Sequence, residues 1–497
     1  MASPLFDALF AAGAPDAAAM EWEATRLSRA ELLAASGRWA NAYRHLGVKP
    51  GDRILASIEK SAANLIAYLG ALRAGAVWVP LNPTYTDAEL AFFLGDCAPA
   101  LTLASPGRAE GLSASGARPV ETLDEAGEGS IAGLAASMGD RSPTTPRTQS
   151  DLAAICYTSG TTGRSKGAML SIGNLLSNAQ TLAGLWRFSE RDILIHALPL
   201  FHVHGLFVAC HVSLLSGAAL ILQPRFSPAA VIEAMERASV LMGVPTFYTR
   251  LLAEPDLTGD LAGRMRLFIS GSAPLLASTH AAWRERTGAV ILERYGLTET
   301  GMDASNPCQG ERVAGTVGPP LPDVDLRVVG EEGRELLAGE VGMVEVKGPN
   351  VFSGYWGDPE KSRAAFTADG FFITGDLGRL DEAGYLSIVG RAKDLVISGG
   401  LNITPLEVER EIDALQGVVE SALVGLPHAD LGEAAVAFVV ADPACPLDEA
   451  AILSAIAPRL ARYKQPRRIV FVPQLPRNAM GKVQKAELRR SFATLFD

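Results

Sequence analysis

The segment YTSGTTGRSKG, residues 157–167, constrains this chain more than any other. Thr158, Ser159, Thr161, Thr162 and Ser165 are set between Gly160, Gly163 and Gly167, and the run ends in Lys166 and that last glycine. Glycines let the backbone curl until successive N–H groups point inward, the hydroxyls add donors and the lysine adds charge. Together they form a cradle for a polyphosphate. The apolar residues 152–156 before it read as a buried strand, and an amphipathic helix is expected after it, the order of an α/β nucleotide-binding protein. A solvated Ser/Thr/Gly linker has no need of a lysine at a fixed place. The loop is not a Walker A motif either, because Lys166 is followed by Gly167 where Ser or Thr is required. That disfavours an ordinary P-loop kinase or ATPase.

With 497 residues the chain is too long for a single compact core. Its capping box, Ser28 with Glu31, opens a helix over 29–46 that Gly47 stops. Strands at 52–58 and 77–81 flank a helix at 62–74. This alternation runs to about residue 330 and predicts doubly wound α/β layers. Residues 127–150, rich in Gly, Ser, Thr and Pro, read as a surface connection. From about residue 320 short Val- and Gly-rich strands (325–329, 342–347, 385–389) indicate a small β-rich unit. Beyond Lys393 the pattern is α+β: helices at 406–414 and 447–462, strands near 419–425, 434–440 and 468–472. The fold class expected is therefore α/β, with a large N-terminal domain, 1–391, joined through 392–394 to a small α+β C-terminal domain, 395–497.

A net charge of −11 without any basic run argues against nucleic acid and anionic membrane as partners. No apolar run approaches the roughly 20 residues of a membrane span. The opening MASPLFDALFAAG lacks a basic stretch ahead of its apolar residues, and the five scattered cysteines show no CxxC. These features lead us to expect a cytoplasmic protein with reduced thiols.

The phosphate-loop segment TSGTTGRSKG resembles the signature of the acyl-adenylate-forming superfamily, the acyl-CoA synthetases and their relatives. Four further motifs of that family follow in order: ERYGLTET (293–300), FFITGDLG (371–378), GRAKDLVISGG (390–400) and PRNAMGK (476–482). The resemblance spans essentially the whole chain. It implies ATP, Mg²⁺ and CoA as partners in a two-step ligation. A carboxylate first attacks the α-phosphorus of ATP, releasing pyrophosphate, and the CoA thiol then displaces AMP.

On this resemblance, Thr158 to Lys166 would hold the β- and γ-phosphates, Thr298 would donate to the α-phosphate and Glu299 would hold Mg²⁺. Tyr295, followed by Gly296, would stack on adenine, with Gly271, Ser272 and Ala273 on its other side. Asp376 would accept both ribose hydroxyls beside Arg391. Lys482 would neutralise the attacking carboxylate and the α-phosphate. Lys393 matches the family's hinge, and Gly399–Gly400 its CoA-tunnel loop, presented after the C-terminal domain rotates. The segment ending in Gly481–Lys482 also resembles one acetylated in bacterial relatives. That implies a lysine acetyltransferase acting on Lys482, which would remove the charge and stop adenylation.

The acid is indicated by cations. Arg294 stands where many relatives carry a glycine that opens the acyl pocket, and it offers a fork-shaped donor to a carboxylate. His204 in FHVHG, Arg250 in PTFYTRLL and Ser270 in ISGSAPL lie on segments that border that pocket in the family, whereas His202 reads as a packing or orienting residue. The combination resembles the malonyl-CoA synthetases, which implies malonate, with methylmalonate second. Another short acid, transfer to a carrier-protein thiol, or a silent nucleotide-binding relative are the alternatives.

Overall fold

Short apolar runs dominate the first half of the chain, and the strands they form are buried along their length: Val77–Pro80, Leu101–Ala104, Ala219–Leu222, Val240–Gly243 and Leu267–Ser270. Strands covered on both faces read this way in parallel sheets. The computed structural model describes residues 2–117, 119–158, 165–445, 447–478 and 481–496. Among these residues the strands form four sheets.

The first has the order Thr25–Ser28, Ala18–Trp22, Ala219–Leu222, Ile193–His196, Val240–Gly243, Leu267–Ser270, Leu292–Tyr295, Ala304–Ser305, parallel except at its two edge strands. The second has the order Val120–Thr122, Leu101–Ala104, Arg53–Ser57, Val77–Pro80, Leu152–Thr158, Lys166–Ser171. Helices with hydroxyl N-caps cover both sheets. Ser28–Glu31, Thr86–Glu89 and Ser171–Asn174 each form a complete capping box.

A third, antiparallel sheet of Asp325–Val329, Gly342–Lys347, Phe372–Leu380 and Leu386–Arg391 makes the expected β-rich unit. Beyond it the fold closes with a smaller α+β domain. There Val396–Ser398, Leu401–Ile403, Val418–His428, Gly432–Ala441 and Arg468–Phe471 form one sheet. Residues 396–496 bury two apolar clusters of their own, around Val408, Ile412 and Leu423 on one face and around Leu426, Phe438 and Leu488 on the other. No helix among the described residues is long and apolar enough to cross a membrane.

Three expectations are corrected. The phosphate loop is followed by a strand, Lys166–Ser171, that pairs antiparallel with Leu152–Thr158, so the loop joins a hairpin; the helix, Ile172–Leu185, comes only afterwards. Within residues 127–150 lies a helix, Ser130–Ser137, whose Ile131 and Ala135 enter the core. The helix expected over 447–462 is Glu449–Ile456. Asp448 caps its start, accepting from the Ala451 N–H, and Pro458 opposes its continuation.

One buried amide ties the TET turn to the core. Asn178 accepts from the Met302 N–H at 3.1 Å and donates to the Met302 carbonyl at 2.9 Å. Asn350 donates to the carbonyls of Thr300 and Met302 from the other side. Asn178→Ala leaves the buried Met302 N–H without a partner and its carbonyl with Asn350 alone, so it should lower stability by roughly 1–3 kcal/mol. The test is the urea midpoint of the purified protein, with no change expected in the slope.

Candidate active site

The parallel strands end on one side, and the chemistry-bearing side chains gather at their carboxyl ends, where open α/β sheets bind ligands. Leu267–Ser270 delivers Ser270, Leu292–Tyr295 delivers Arg294 and Tyr295, and the hairpin strand delivers Thr158. The third sheet adds Asp376 and Arg391, which are register partners across two of its strands.

Arg294 is the centre of the first cluster. It is 3% exposed, and its Nε and Nη2 find no hydrogen-bond partner among the described residues. Its guanidinium lies against the backbone of Gly271. A Cβ at that glycine would come within 2.4 Å of the Arg294 Cζ, so any larger residue there would displace the guanidinium from this position. Tyr248, buried in the helix Pro245–Leu252, lies close enough for its charge state to couple to the guanidinium. Burial pushes Arg294 down to about 9, which leaves it cationic at neutral pH.

Two further buried polar atoms, Ser270 Oγ and His204 Nε2, also lack partners, and His204 lies close enough to Arg294 to feel its charge. His204 Nδ1 lies 3.3 Å from Ser272 Oγ. Ser272 takes a left-handed φ of 70°, a conformation that a non-glycine residue holds only where its surroundings impose it. Burial first, then the charge of Arg294, holds His204 well below the usual histidine range. With the Ser272 hydroxyl donating to Nδ1, the neutral imidazole presents Nε2–H as a donor. His202, pushed to about 3 chiefly by burial, accepts from the His204 backbone N–H at 3.2 Å, an orienting role. Desolvated donors around a cation form a receptor for an anion, because an unpaired buried cation is otherwise strongly unfavourable.

The second cluster is built on Asp376, which is 3% exposed. Its Oδ2 accepts from the Tyr295 hydroxyl at 2.5 Å and its Oδ1 pairs with Arg391 Nε at 2.5 Å. Glu299 accepts from the Tyr355 hydroxyl at 3.1 Å, and Lys166 Nζ stands 5.0 Å from the Tyr355 ring centroid. Thr298 and Glu299 lie in a tight turn closed by the Gly301 N–H on the Leu297 carbonyl at 2.8 Å. Gly296 packs its Cα against the Gly301 carbonyl, leaving no room for a Cβ. Among the described residues no three His, Cys, Asp or Glu side chains converge on a metal-sized site. A single carboxylate suits Mg²⁺, which takes one or two carboxylates and fills its shell with phosphate oxygens and water.

Lys482 reaches this place from the C-terminal domain. Asn478 and Lys482 bracket a tight turn, with Asn478 N–H donating to the Lys482 carbonyl and Lys482 N–H donating to Asn478 Oδ1, both at 3.0 Å. Gly481, at φ 72°, abuts Thr246 at the start of the helix Pro245–Leu252. The half-buried lysine is pushed down to about 8 by desolvation and by Arg391 and Arg294, against the pull of Asp376 and Glu299.

The remaining expected residues fall elsewhere. Ser159, Gly160, Thr161, Thr162 and Gly163 lie outside the described residues. Ala273 is half-buried beside Ser272. Arg250 is exposed on its helix and does not join the Arg294 cluster, which corrects the pocket role expected of it. Lys393 is exposed in the turn Ala392–Asp394. Gly399 and Gly400, with φ of 58° and 78°, form an exposed two-residue hairpin turn. Sequence reasoning missed Tyr355, which sits in an irregular GYW stretch with no periodicity to mark it. It also missed Asn178 and Asn350, whose amides act on backbone groups far along the chain.

The family described as AMP-binding enzyme matches residues 8–356, and the AMP-binding enzyme C-terminal domain matches residues 407–482. A feruloyl-CoA synthase from Amycolatopsis sp is 35% identical over 96% of both chains. A malonate–CoA ligase from Arabidopsis thaliana is 34% identical over 92% of this chain and 80% of that one. The crystal structure of ATP-bound MatB from Rhodopseudomonas palustris is 52% identical over 100% of both chains, with a TM-score of 0.98; apo MatB from the same organism gives 0.85.

The Lys482 ammonium should titrate near pH 8 in NMR spectra of lysine-labelled protein. Asp376→Asn removes a negative charge that holds the proton on, so it should move the titration lower. An unmoved titration would show that the ammonium does not face Asp376.

Proposed function

We propose that this chain, which belongs to the AMP-binding enzyme family, ligates malonate to coenzyme A through a malonyl-adenylate, with methylmalonate as second substrate. The family and its CoA-ligase relatives support the ligation. The observation that carries the acid is the buried Arg294 guanidinium with unpartnered N–H groups, close to His204, whose Nε2 is likewise unpartnered. An acid that carries a second carboxylate close to the reacting one fits that receptor. A fatty or aryl tail would leave the guanidinium unpaired. The 52% identity to MatB and the 34% identity to a malonate–CoA ligase point the same way.

In this reading the malonate carboxylate distal to the reaction pairs with Arg294, and the proximal one faces Lys482. One proximal oxygen attacks the α-phosphorus, the bond to the bridging oxygen breaks, and pyrophosphate leaves. Lys482 offsets charge on both reacting groups, and Thr298 donates to the α-phosphate. Thr158 to Lys166 holds the outer phosphates, and Glu299 would hold Mg²⁺, which neutralises phosphate charge. Gly271, Ser272 and Ala273 line one face of adenine and Tyr295 the other. The same Tyr295 hydroxyl fixes Asp376 for the ribose. The hinge at 392–394 then carries Lys482 away and brings Gly399–Gly400 to the site. The CoA sulfur attacks the acyl carbon, AMP departs and the thiol proton is lost. The greater likeness to the ATP-bound than to the apo form of MatB supports reading the present arrangement as the adenylating one.

Two experiments test this. Arg294→Leu breaks a buried charge pair, roughly 3–5 kcal/mol, so kcat/KM for malonate should fall by about two to four decades while acetate is affected much less. Pyrophosphate release across malonate, methylmalonate, succinate, acetate and octanoate measures it; acetate or octanoate turned over with malonate inert would refute the malonate reading. Lys482→Ala should abolish adenylate formation and spare thioester formation from supplied malonyl-AMP. Because the ammonium exists below about pH 8 and is lost above it, kcat/KM for wild-type adenylation should decline as pH rises through about 8.

A further inference from the structure

A buried polar relay outside the substrate cluster ends one residue from His204. Lys60 follows the strand Arg53–Ser57 of the second sheet, directly before Ser61, the N-cap of the helix Ala62–Ala74. Its Nζ reaches across to the first sheet, 2.8 Å from the carbonyl of His196 and 3.0 Å from His196 Nδ1. His196 is fully buried at the end of the strand Ile193–His196, and its Nε2 lies 2.9 Å from the Gly205 carbonyl. A neutral ring with Nδ1 accepting from Lys60 Nζ, which burial pushes down to about 7, and with Nε2–H donating to the carbonyl satisfies every contact. Burial and the charge of Lys60 hold the ring neutral.

The backbone that receives this bond is unusual. His204–Cys210 is a π-helical turn, a geometry that recurs at functional sites and needs support to persist. Gly205 is pressed against the Pro199 carbonyl so closely that a Cβ would sit 2.0 Å from its oxygen. The Gly205 carbonyl belongs to the residue after His204, so this bond anchors the backbone next to the His204 Cα. The relay thus joins the two sheets and sets the start of the turn that carries one of the anion donors.

We propose that Lys60 and His196 are positioning residues that aim His204 at the distal carboxylate and thereby select a dicarboxylate. This inference rests on the malonate reading. Neither residue touches the acid. Their effect belongs in malonate recognition and not in ATP binding or in the phosphoryl step.

The test compares wild type, Lys60→Met, Lys60→Arg and Arg294→Leu in pyrophosphate release with malonate and with propionate, which replaces the distal carboxylate by a methyl group. Lys60→Met should raise KM for malonate roughly tenfold, about the worth of one charge-assisted hydrogen bond. KM for ATP, and kcat/KM for propionate, should stay within about twofold. Lys60→Arg, which keeps a cation that can donate to His196, should recover most of the loss. Should Lys60→Met fail to fold, Lys60→Gln takes its place with the same readouts. Equal losses for both acids, or no loss, in a variant folded as wild type would overturn the inference. If Arg294→Leu abolishes the malonate preference while the Lys60 variants leave it intact, the malonate reading stands and the positioning role is refuted. A wild type that prefers propionate refutes both.

Discussion

A guanidinium buried without a partner of its own is the constraint from which the rest of the site follows. Arg294 sits in the core-facing end of a parallel strand, and its Nε and Nη2 have no hydrogen-bond partner among the described residues. Holding it there demands a glycine at 271, a following serine forced to positive φ, and a neutral imidazole in place of a charged one. Each of these features is unfavourable or restrictive alone. Together they make sense as a receptor for an anion.

Much of the scaffold was legible because its local signals agree with the global pattern. Ser28 with Glu31, and Gly75 closing the helix Ala62–Ala74, mark boundaries through capping chemistry that acts over three or four residues. The hairpin at the phosphate loop was not legible. Lys166–Ser171 is too short and too mixed in burial to announce a strand, and its partner is set by sheet pairing. The shortened helix Glu449–Ile456 shows a related limit, since apolar residues continue past a proline that the helix does not pass.

The site divides along the same line. Arg294, His204 and Ser270 could be singled out because they lie on segments that resemble the family's acyl-pocket motifs. Arg250 carried the same signal and is exposed, since a helix has two faces and its sequence alone did not say which meets the pocket. Tyr355, Asn350 and Lys60 act across 56, 50 and 136 residues of chain, on Glu299, Thr300 and His196. No local pattern marks such partners, and only the assembled sheets bring them together.

Charge also offers an account of how the two domains would trade places. The chain as a whole is acidic, yet Lys482, Arg294 and Arg391 meet around only Asp376 and Glu299, so the site is locally cationic and suited to anions. Lys482 is drawn in by those two carboxylates and pushed out by the two arginines. On the proposed reading, ATP and the ionised acid tip that balance inward. Adenylation then converts the proximal carboxylate into a mixed anhydride, leaves one charge on the bridging phosphate and releases pyrophosphate. The negative charge facing the ammonium falls while both arginines remain. The lysine that promotes the first step thus loses its hold once that step is complete, and the reaction itself supplies the bias for the domain to leave.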